Sequence, residues 1–309
     1  MNHQLLVAEF LATPWALMPE RLNALAAVVM RWSAGIPAES ENMIRIQADR
    51  VIRESRRQTA AVQSSGGIAV LPLYGVVTQR GNMVDDVSGP GSTSTQQFSS
   101  ALRQLIADDT AGQILIDIDS PGGSVYGVAE LADEIQSARA QKPVIAVANS
   151  LAASAAYWIG CSAGEFYVTP GGEVGSIGVW QAHFDYSKAF EEDGVKPTLI
   201  SAGKFKVEGN PYVPLDPEAQ AFMQSRVDDY YNAFIKAVAK GRGVSVADVQ
   251  GGMGEGRVLG ADAALAAKMV DGIATFDDVL ARMQKAALPV KPKSASRLGQ
   301  ARNALALLG

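Results

Sequence analysis

A chain of 309 residues, 48% hydrophobic and 19% charged, is long enough for one large core or two small ones. Its net charge of −5 argues against general nucleic-acid binding by the body, and its single cysteine, Cys161, excludes an internal disulfide and fits a reducing compartment. No stretch approaches the roughly eighteen apolar residues of a membrane span, and Glu9 and Glu20-Arg21 do not read as part of a signal peptide, so a soluble cytoplasmic protein is expected.

Residues 1–35 read as helical. Pro19 suits a first helical position, Leu22, Leu25, Ala26 and Val29 form one face, and Gly35 ends it. Trp15 and Trp32 are placed to dock this element on the body. Residues 46–63 are polar and carry Arg50, Arg53, Arg56 and Arg57, so residues 1–65 read as a helical extension and linker. The main domain is expected over residues 66–285. It opens with a strand at 68–78, a Gly- and Ser-rich loop at 81–95 that reads as a flap, and a helix at 96–107. A buried strand at 114–119, a helix at 128–139 and a second buried strand at 143–148 follow. Beyond these lie strands at 165–169, 174–179 and 197–200, with a helix at 186–192. Asp216 caps a long helix over 217–241, Ser245 opens another to Met253, and helices at 261–270 and 276–285 close the domain. Alternating strands and helices predict an α/β class with a parallel-rich sheet and flanking helices. Residues 286–309 carry Lys291, Lys293, Arg297 and Arg302 and no acid, and read as a basic docking tail.

Two turns carry chemistry. The run Pro143-Val144-Ile145-Ala146-Val147-Ala148 leads into Asn149-Ser150-Leu151-Ala152-Ala153-Ser154-Ala155-Ala156. With Ser150 as N-cap, Ser154 falls in the first turn of a helix that runs to Cys161. Its alanine neighbours keep bulk away from the hydroxyl, which is how a nucleophilic serine is presented; a small-residue helix packed tightly on a sheet has the same signature. Upstream, Ser120-Pro121-Gly122-Gly123-Ser124 follows a strand and leaves backbone N–H groups bare, where they can hold a developing oxyanion. An ordinary turn requiring positive φ reads the same way.

A serine nucleophile needs a base. Of the two histidines, His3 is near the N-terminus, and His183 has no Gly or Pro turn to expose it. Lys204 and Lys206 lie on a Gly- and Pro-rich loop at 201–214 and are the better candidates. A lysine acts as a base only as the neutral amine, which requires shelter from water. Spacing alone does not choose between them, nor between a base and a solvated surface charge.

These residues resemble a known family. Ser120-Pro121-Gly122-Gly123, the Ser154 turn, Gly175-Ser176-Ile177-Gly178 and Ser201-Ala202-Gly203-Lys204-Phe205-Lys206 are similar to the signal peptide peptidase A serine proteases. Gly67-Ile68-Ala69-Val70-Leu71-Pro72 and Lys206-Val207-Glu208-Gly209-Asn210-Pro211-Tyr212 look most like the head maturation (prohead) proteases of tailed phages, the lambda protein C type. The resemblance implies a Clp/crotonase-like spiral of parallel-rich sheet. It implies a Ser/Lys dyad with Ser154 as nucleophile and Lys206 as general base, Ser176 orienting the Lys206 amine, and the N–H groups of Gly122 and Gly123 as oxyanion hole. It implies no cofactor and no metal, assembly into a homo-oligomer, and action without ATP on scaffold, capsid and portal proteins inside a procapsid in the bacterial host cytoplasm. Where many members have Gly-Gly or Ala-Gly after the nucleophile, this chain has Ala155-Ala156. A cellular signal-peptide-peptidase-like protease, a coenzyme A-binding crotonase relative and a non-catalytic assembly protein on the same fold are the alternatives.

Overall fold

The continuous apolar runs become the central strands. The computed structural model describes residues 12–19, 26, 67–80 and 92–286. The expected linker at 46–63, most of the N-terminal helix, most of the flap and the basic tail lie outside these residues. In chain order the elements are β1 (Trp15–Leu17), β2 (Ile68–Tyr74), β3 (Val76–Thr78), β4 (Ser92–Ser94), α1 (Thr95–Ala107), β5 (Gln113–Ser120), β6 (Gly122–Ser124), α2 (Val128–Ala138), β7 (Val144–Ala153) and α3 (Ala155–Gly160). Then come β8 (Glu165–Val168), β9 (Glu173–Gly175), α4 (Ser187–Glu192), α5 (Pro217–Arg242), α6 (Val246–Gly252), β10 (Val258–Gly260), α7 (Ala261–Ala266), β11 (Gly272–Ile273) and α8 (Phe276–Ala286).

The larger sheet runs β10-β9-β7-β5-β2, with β8 and β11 branching from β7. Strands β2, β5, β7 and β8 pair in parallel, as do β7 and β9 and β8 and β11, while β10 is antiparallel to β9. The two-residue period of a strand sorts its side chains into two layers. Ile114, Ile116 and Ile118 enter the main core with α1, α2, α3 and α5, whereas Leu115 joins Val147, Tyr167, Val279 and Met283 under α8. Both faces are therefore covered, which explains strands that are apolar at every position. Each buried Ile or Leu contributes about 1.5–3 kcal/mol. The α/β, parallel-rich architecture with flanking helices is the expected one.

A smaller sheet, β1-β6-β3-β4, lies where the chain leaves the carboxyl end of the large one. Here the structure departs from the sequence reading. Trp15–Leu17 is a strand, not helix, and it pairs antiparallel with β6. Pro14 precedes it, and the free edge of β6 offers more backbone hydrogen bonds than a lone helical turn would. Pro19 is helical, as its position predicts. A domain boundary at residue 65 would cut through this sheet. Residues 197–200 also differ, because they form no strand. No sheet edge of the described residues reaches them, and Ile200 is 95% exposed. The capping residues Ser94, Asp216 and Ser245 each accept a backbone N–H as expected of N-caps, and Ser245 forms a capping box with Asp248.

Helix α5 is tied to the sheet by an ion pair. Arg242, only 5% exposed, donates to both Asp271 carboxylate oxygens at 2.8 Å, and Asp271 also accepts the Phe166 N–H at 2.7 Å. Burial raises the Asp271 pKa, but hydrogen bonds and charge from Arg242 outweigh it and hold the carboxyl below its usual range. A lowered carboxyl pKa adds stability that is present above the unfolded value and is lost as pH falls through the folded one. Thermal unfolding followed from neutral to acid pH should show this loss, and Arg242→Ala should remove it. Since Asp271 is 38% exposed, the variant should cost about 2 kcal/mol, below the range for a fully buried pair.

Candidate active site

Strand β7 runs further than the sequence suggests. It continues through Ser150 to Ala153, so Ser150 is a strand residue and the N-cap of α3 is Ser154 itself. The turn is sharp: Ser154 has φ 55° and ψ −119°, a conformation that L-residues avoid. Its N–H donates to the Gly175 carbonyl at 2.7 Å and its carbonyl accepts the Trp158 N–H at 3.0 Å, so both neighbours enforce the strained backbone. The side chain makes no capping bond; its Oγ lies 3.5 Å from the Gly178 carbonyl oxygen. Below the turn, Trp158 stacks on Phe234 of α5 with ring centroids 4.7 Å apart. Ala152, Ala153, Ala155 and Ala156 are fully buried around it.

The Pro-Gly-Gly turn sits directly against this serine. A Cβ placed on Gly122, whose φ is 95°, would meet the Ala153 carbonyl and Ser154 Cβ, each at 2.9 Å. A Cβ on Gly123 would strike the Val77 carbonyl oxygen at 1.8 Å. Glycine is required at both positions by close approach, and at Gly122 by φ as well. The Gly122 N–H donates to Ser120 Oγ at 3.2 Å, and Ser120 Oγ donates to the Gly75 carbonyl at 2.6 Å. Ser176 lies beside the turn because Gly175 pairs with Ala153. Like Ser154 it has a positive φ, 52°, and its N–H donates to the Arg257 carbonyl at 2.8 Å.

The structure thus brings together Ser154, Ser176, Gly122 and Gly123. It does not bring Lys206 to them. Lys206 is exposed on the loop before α5, and no hydrogen bond joins it to Ser154 or Ser176. Lys204 pairs with Glu218 at 2.8 Å and covers the Phe205 ring. His183 is hydrogen-bonded through Nε2 to the Asn210 carbonyl at 3.0 Å, which ties it to that loop rather than to the serine. A hollow of about 380 Å³ is lined by Leu199, Phe205, Val207 and Val213 and does not include Ser154. Burial pushes the Cys161 thiol up to about 12, so it is no nucleophile at ordinary pH.

Two neighbours of the site were missed from sequence. Trp180 and β1 lie alongside the glycine turn, with Trp15 and Trp180 exchanging backbone hydrogen bonds at 2.9 and 3.1 Å. The signal that could have found β1 is the short apolar Trp-Ala-Leu run closely bracketed by Pro14 and Pro19.

A buried serine on a strained strand-to-helix elbow beside a Gly-Gly turn has the chemistry to present a nucleophile near backbone N–H groups. Comparison with known proteins places the chain among peptidases. Residues 136–289 match the model of Peptidase family S49, and residues 85–172 match that of Clp protease. Over residues 136–289 the chain is similar to the S49 peptidases. It is 36% identical over 230 residues to capsid assembly protease C of Escherichia phage lambda, covering 74% of this chain and 52% of that protein. It is 33% identical to head-tail preconnector protein GP5 of Enterobacteria phage P21, covering 78% of this chain and 47% of that one. A putative signal peptide peptidase SppA of Enterococcus faecium is 27% identical, over 72% of this chain and 64% of that protein. The chain therefore spans about half the length of the phage relatives it matches. Among the described residues no helix is long and apolar enough to cross a membrane.

The strain at Ser154 predicts an opposition between stability and chemistry. Ser154→Gly should raise the unfolding free energy by about 0.5–1 kcal/mol, because glycine adopts this φ without steric cost. Chemical denaturation reads it directly. Alkylation of Cys161 checks its setting: at pH 8 the native protein should resist iodoacetamide and the unfolded protein should react fully.

Proposed function

We propose that this chain is an ATP-independent serine endopeptidase of phage head assembly, with Ser154 as nucleophile and Lys206 as general base. The observation that carries the proposal is the fit of the Ser154 elbow against Gly122, where an added Cβ would lie 2.9 Å from Ser154 Cβ, so that no side chain fits beside the nucleophile. In the reaction, Ser154 Oγ attacks a peptide carbonyl while its proton passes to the Lys206 amine. The N–H of Gly123 stabilises the oxyanion, and the proton moves on to the leaving nitrogen. Water then hydrolyses the acyl-enzyme by the same route. Ser176 orients the amine.

The names of two phage relatives, a capsid assembly protease and a head-tail preconnector protein, support a role in phage capsid assembly; our reading takes scaffold, capsid and portal proteins as substrates or docking partners and a procapsid as the place of action. Their identity to this chain, 36% and 33%, exceeds the 27% of the signal peptide peptidase, which favours the phage setting over a cellular one.

Lys206 must be sheltered from water before it can act, and in a single chain it is exposed. The segment that carries it also exposes Val195, Leu199, Ile200, Phe205 and Val213, with Phe222 following at the start of α5. So much apolar surface in one region marks an interaction site. In our reading a neighbouring copy covers it and closes the dyad. This gives the first half of α5 a role: its second half buries Phe234, Ile235 and Val238, while Phe222 stays outside.

Ser154→Ala and Lys206→Ala should each lose several orders of magnitude in cleavage of co-expressed capsid and scaffold proteins, read by mass spectrometry of the products, with folding unchanged. Lys204→Ala and His183→Ala should keep activity. A dead His183→Ala with an active Lys206→Ala would overturn the dyad. Activity per chain should fall steeply on dilution, since assembly follows mass action. A monomer by light scattering that remains fully active would refute closure by a neighbour.

A further inference from the structure

Ser154 is only 1% exposed, and what lies over the glycine turn is the chain's own β1. β1 is held between two walls. On one side Trp15 exchanges both backbone hydrogen bonds with Trp180, and the Trp180 indole Nε1 donates to the Leu17 carbonyl at 3.0 Å. On the other side β1 runs antiparallel to β6 with Leu17 opposite Gly122, Ala16 opposite Gly123 and Trp15 opposite Ser124, and Met18 N–H donates to the Pro121 carbonyl at 3.2 Å. Hydrogen bonding alternates along an antiparallel pair. With Trp15 and the Leu17 carbonyl turned to Trp180 and Met18 turned to Pro121, Ala16 turns its N–H and carbonyl to Gly123. The position of a Cβ on Gly122 is 2.3 Å from the Ala16 carbonyl oxygen and 2.9 Å from Ser154 Cβ, so carbonyl and nucleophile share one small volume.

We infer that the slot between β6 and Trp180 is the peptide-substrate site, and that β1 occupies it as an internal substrate-like strand that keeps the site closed. The inference rests on the protease reading of Ser154. It names the substrate class as an extended peptide that adds a strand to β6. A small residue presents its carbonyl to Gly123, where Ala16 does so now, with apolar residues on either side where Trp15 and Leu17 are buried. A tethered strand competes at an effective concentration in the millimolar range, so a free substrate gains the slot only when β1 is displaced.

The test uses the full chain carrying Ser154→Ala, so that binding is read without turnover. The probe is a fluorescein-labelled synthetic hexapeptide with the chain's own residues 14–19. Ala16→Pro, which removes the N–H facing Gly123, and Leu17→Asp, which puts a charge into a buried position, should each release β1 and tighten probe binding at least tenfold by fluorescence anisotropy. Equal affinity in parent and released variants, or no binding to either variant while both keep the parent's thermal transition, overturns the inference. Should both variants fail to fold, hydrogen exchange on the parent decides. Millimolar unlabelled peptide should deprotect residues 15–17 and leave residues 122–124 protected, and unchanged protection at residues 15–17 overturns it. With Ser154 restored, labelling by a fluorophosphonate should be at least tenfold faster in the released variants. If binding responds as expected and labelling never occurs, the slot and its occupant stand and the protease reading of Ser154 falls.

Discussion

The structure depends on one close approach, that of the Gly122 backbone to Ser154. Two segments from successive strands, β5 and β7, must end within van der Waals distance of each other at the same edge of the sheet. This is possible only if neither carries bulk. The glycines supply that on one side and four fully buried alanines on the other. Small residues bury little apolar surface, so the elbow contributes weakly to stability and holds a strained φ besides. The surrounding core offsets this. Ile114, Ile116 and Ile118 lie behind the turn, Trp158 and Phe234 stack beneath it, and Gly241 lets α5 come so near that an added Cβ would sit 2.2 Å from the Cys161 carbonyl oxygen. The elbow is held by what is packed around it rather than by its own contacts.

The loop bearing Lys206 is built differently. Residues 193–206 form no strand and expose Val195, Leu199, Ile200 and Phe205, and their bonds include Lys206 N–H to the Gly203 carbonyl at 3.2 Å and Lys204 to Glu218 at 2.8 Å. The proposed nucleophile is thus buried and the proposed base exposed. Under the assembly reading this has a physical use, since a base that is solvated in the free chain cannot take a proton from Ser154, and chemistry waits for the surface to be covered.

How far the fold was legible follows from the same contrast. The strands at Ile114–Ile118 and Val144–Ala148 and the helices capped by Asp216 and Ser245 could be read because burial on both sheet faces and capping chemistry leave strong local signals. The Ser154 turn, too, was legible, because close approach forces small residues and these are visible in sequence. The extent of β7 was misread because Ser150 looks like an N-cap, and only the pairing of Leu151–Ala153 with β9 shows that the strand continues. Residues 197–200 have strand composition but no partner edge among the described residues. β1 was the least legible, because its conformation comes from β6 and Trp180, over 100 positions away.

Strand β6 explains why β1 matters. If Gly123 is the oxyanion donor, as proposed, this three-residue strand needs an open edge, since the donor cannot also be committed to a permanent neighbour. Open edges recruit other strands indiscriminately. Under the proposed function, a protease working at the protein concentrations of an assembling shell would meet many extended segments. On the inference drawn above, the internal strand Trp15–Leu17 satisfies the edge, excludes weak competitors by its tether, and yields only to a peptide that makes the same bonds to both walls with comparable burial. On this argument the selectivity of the site is set as much by the strand that must leave as by the groove that receives the substrate.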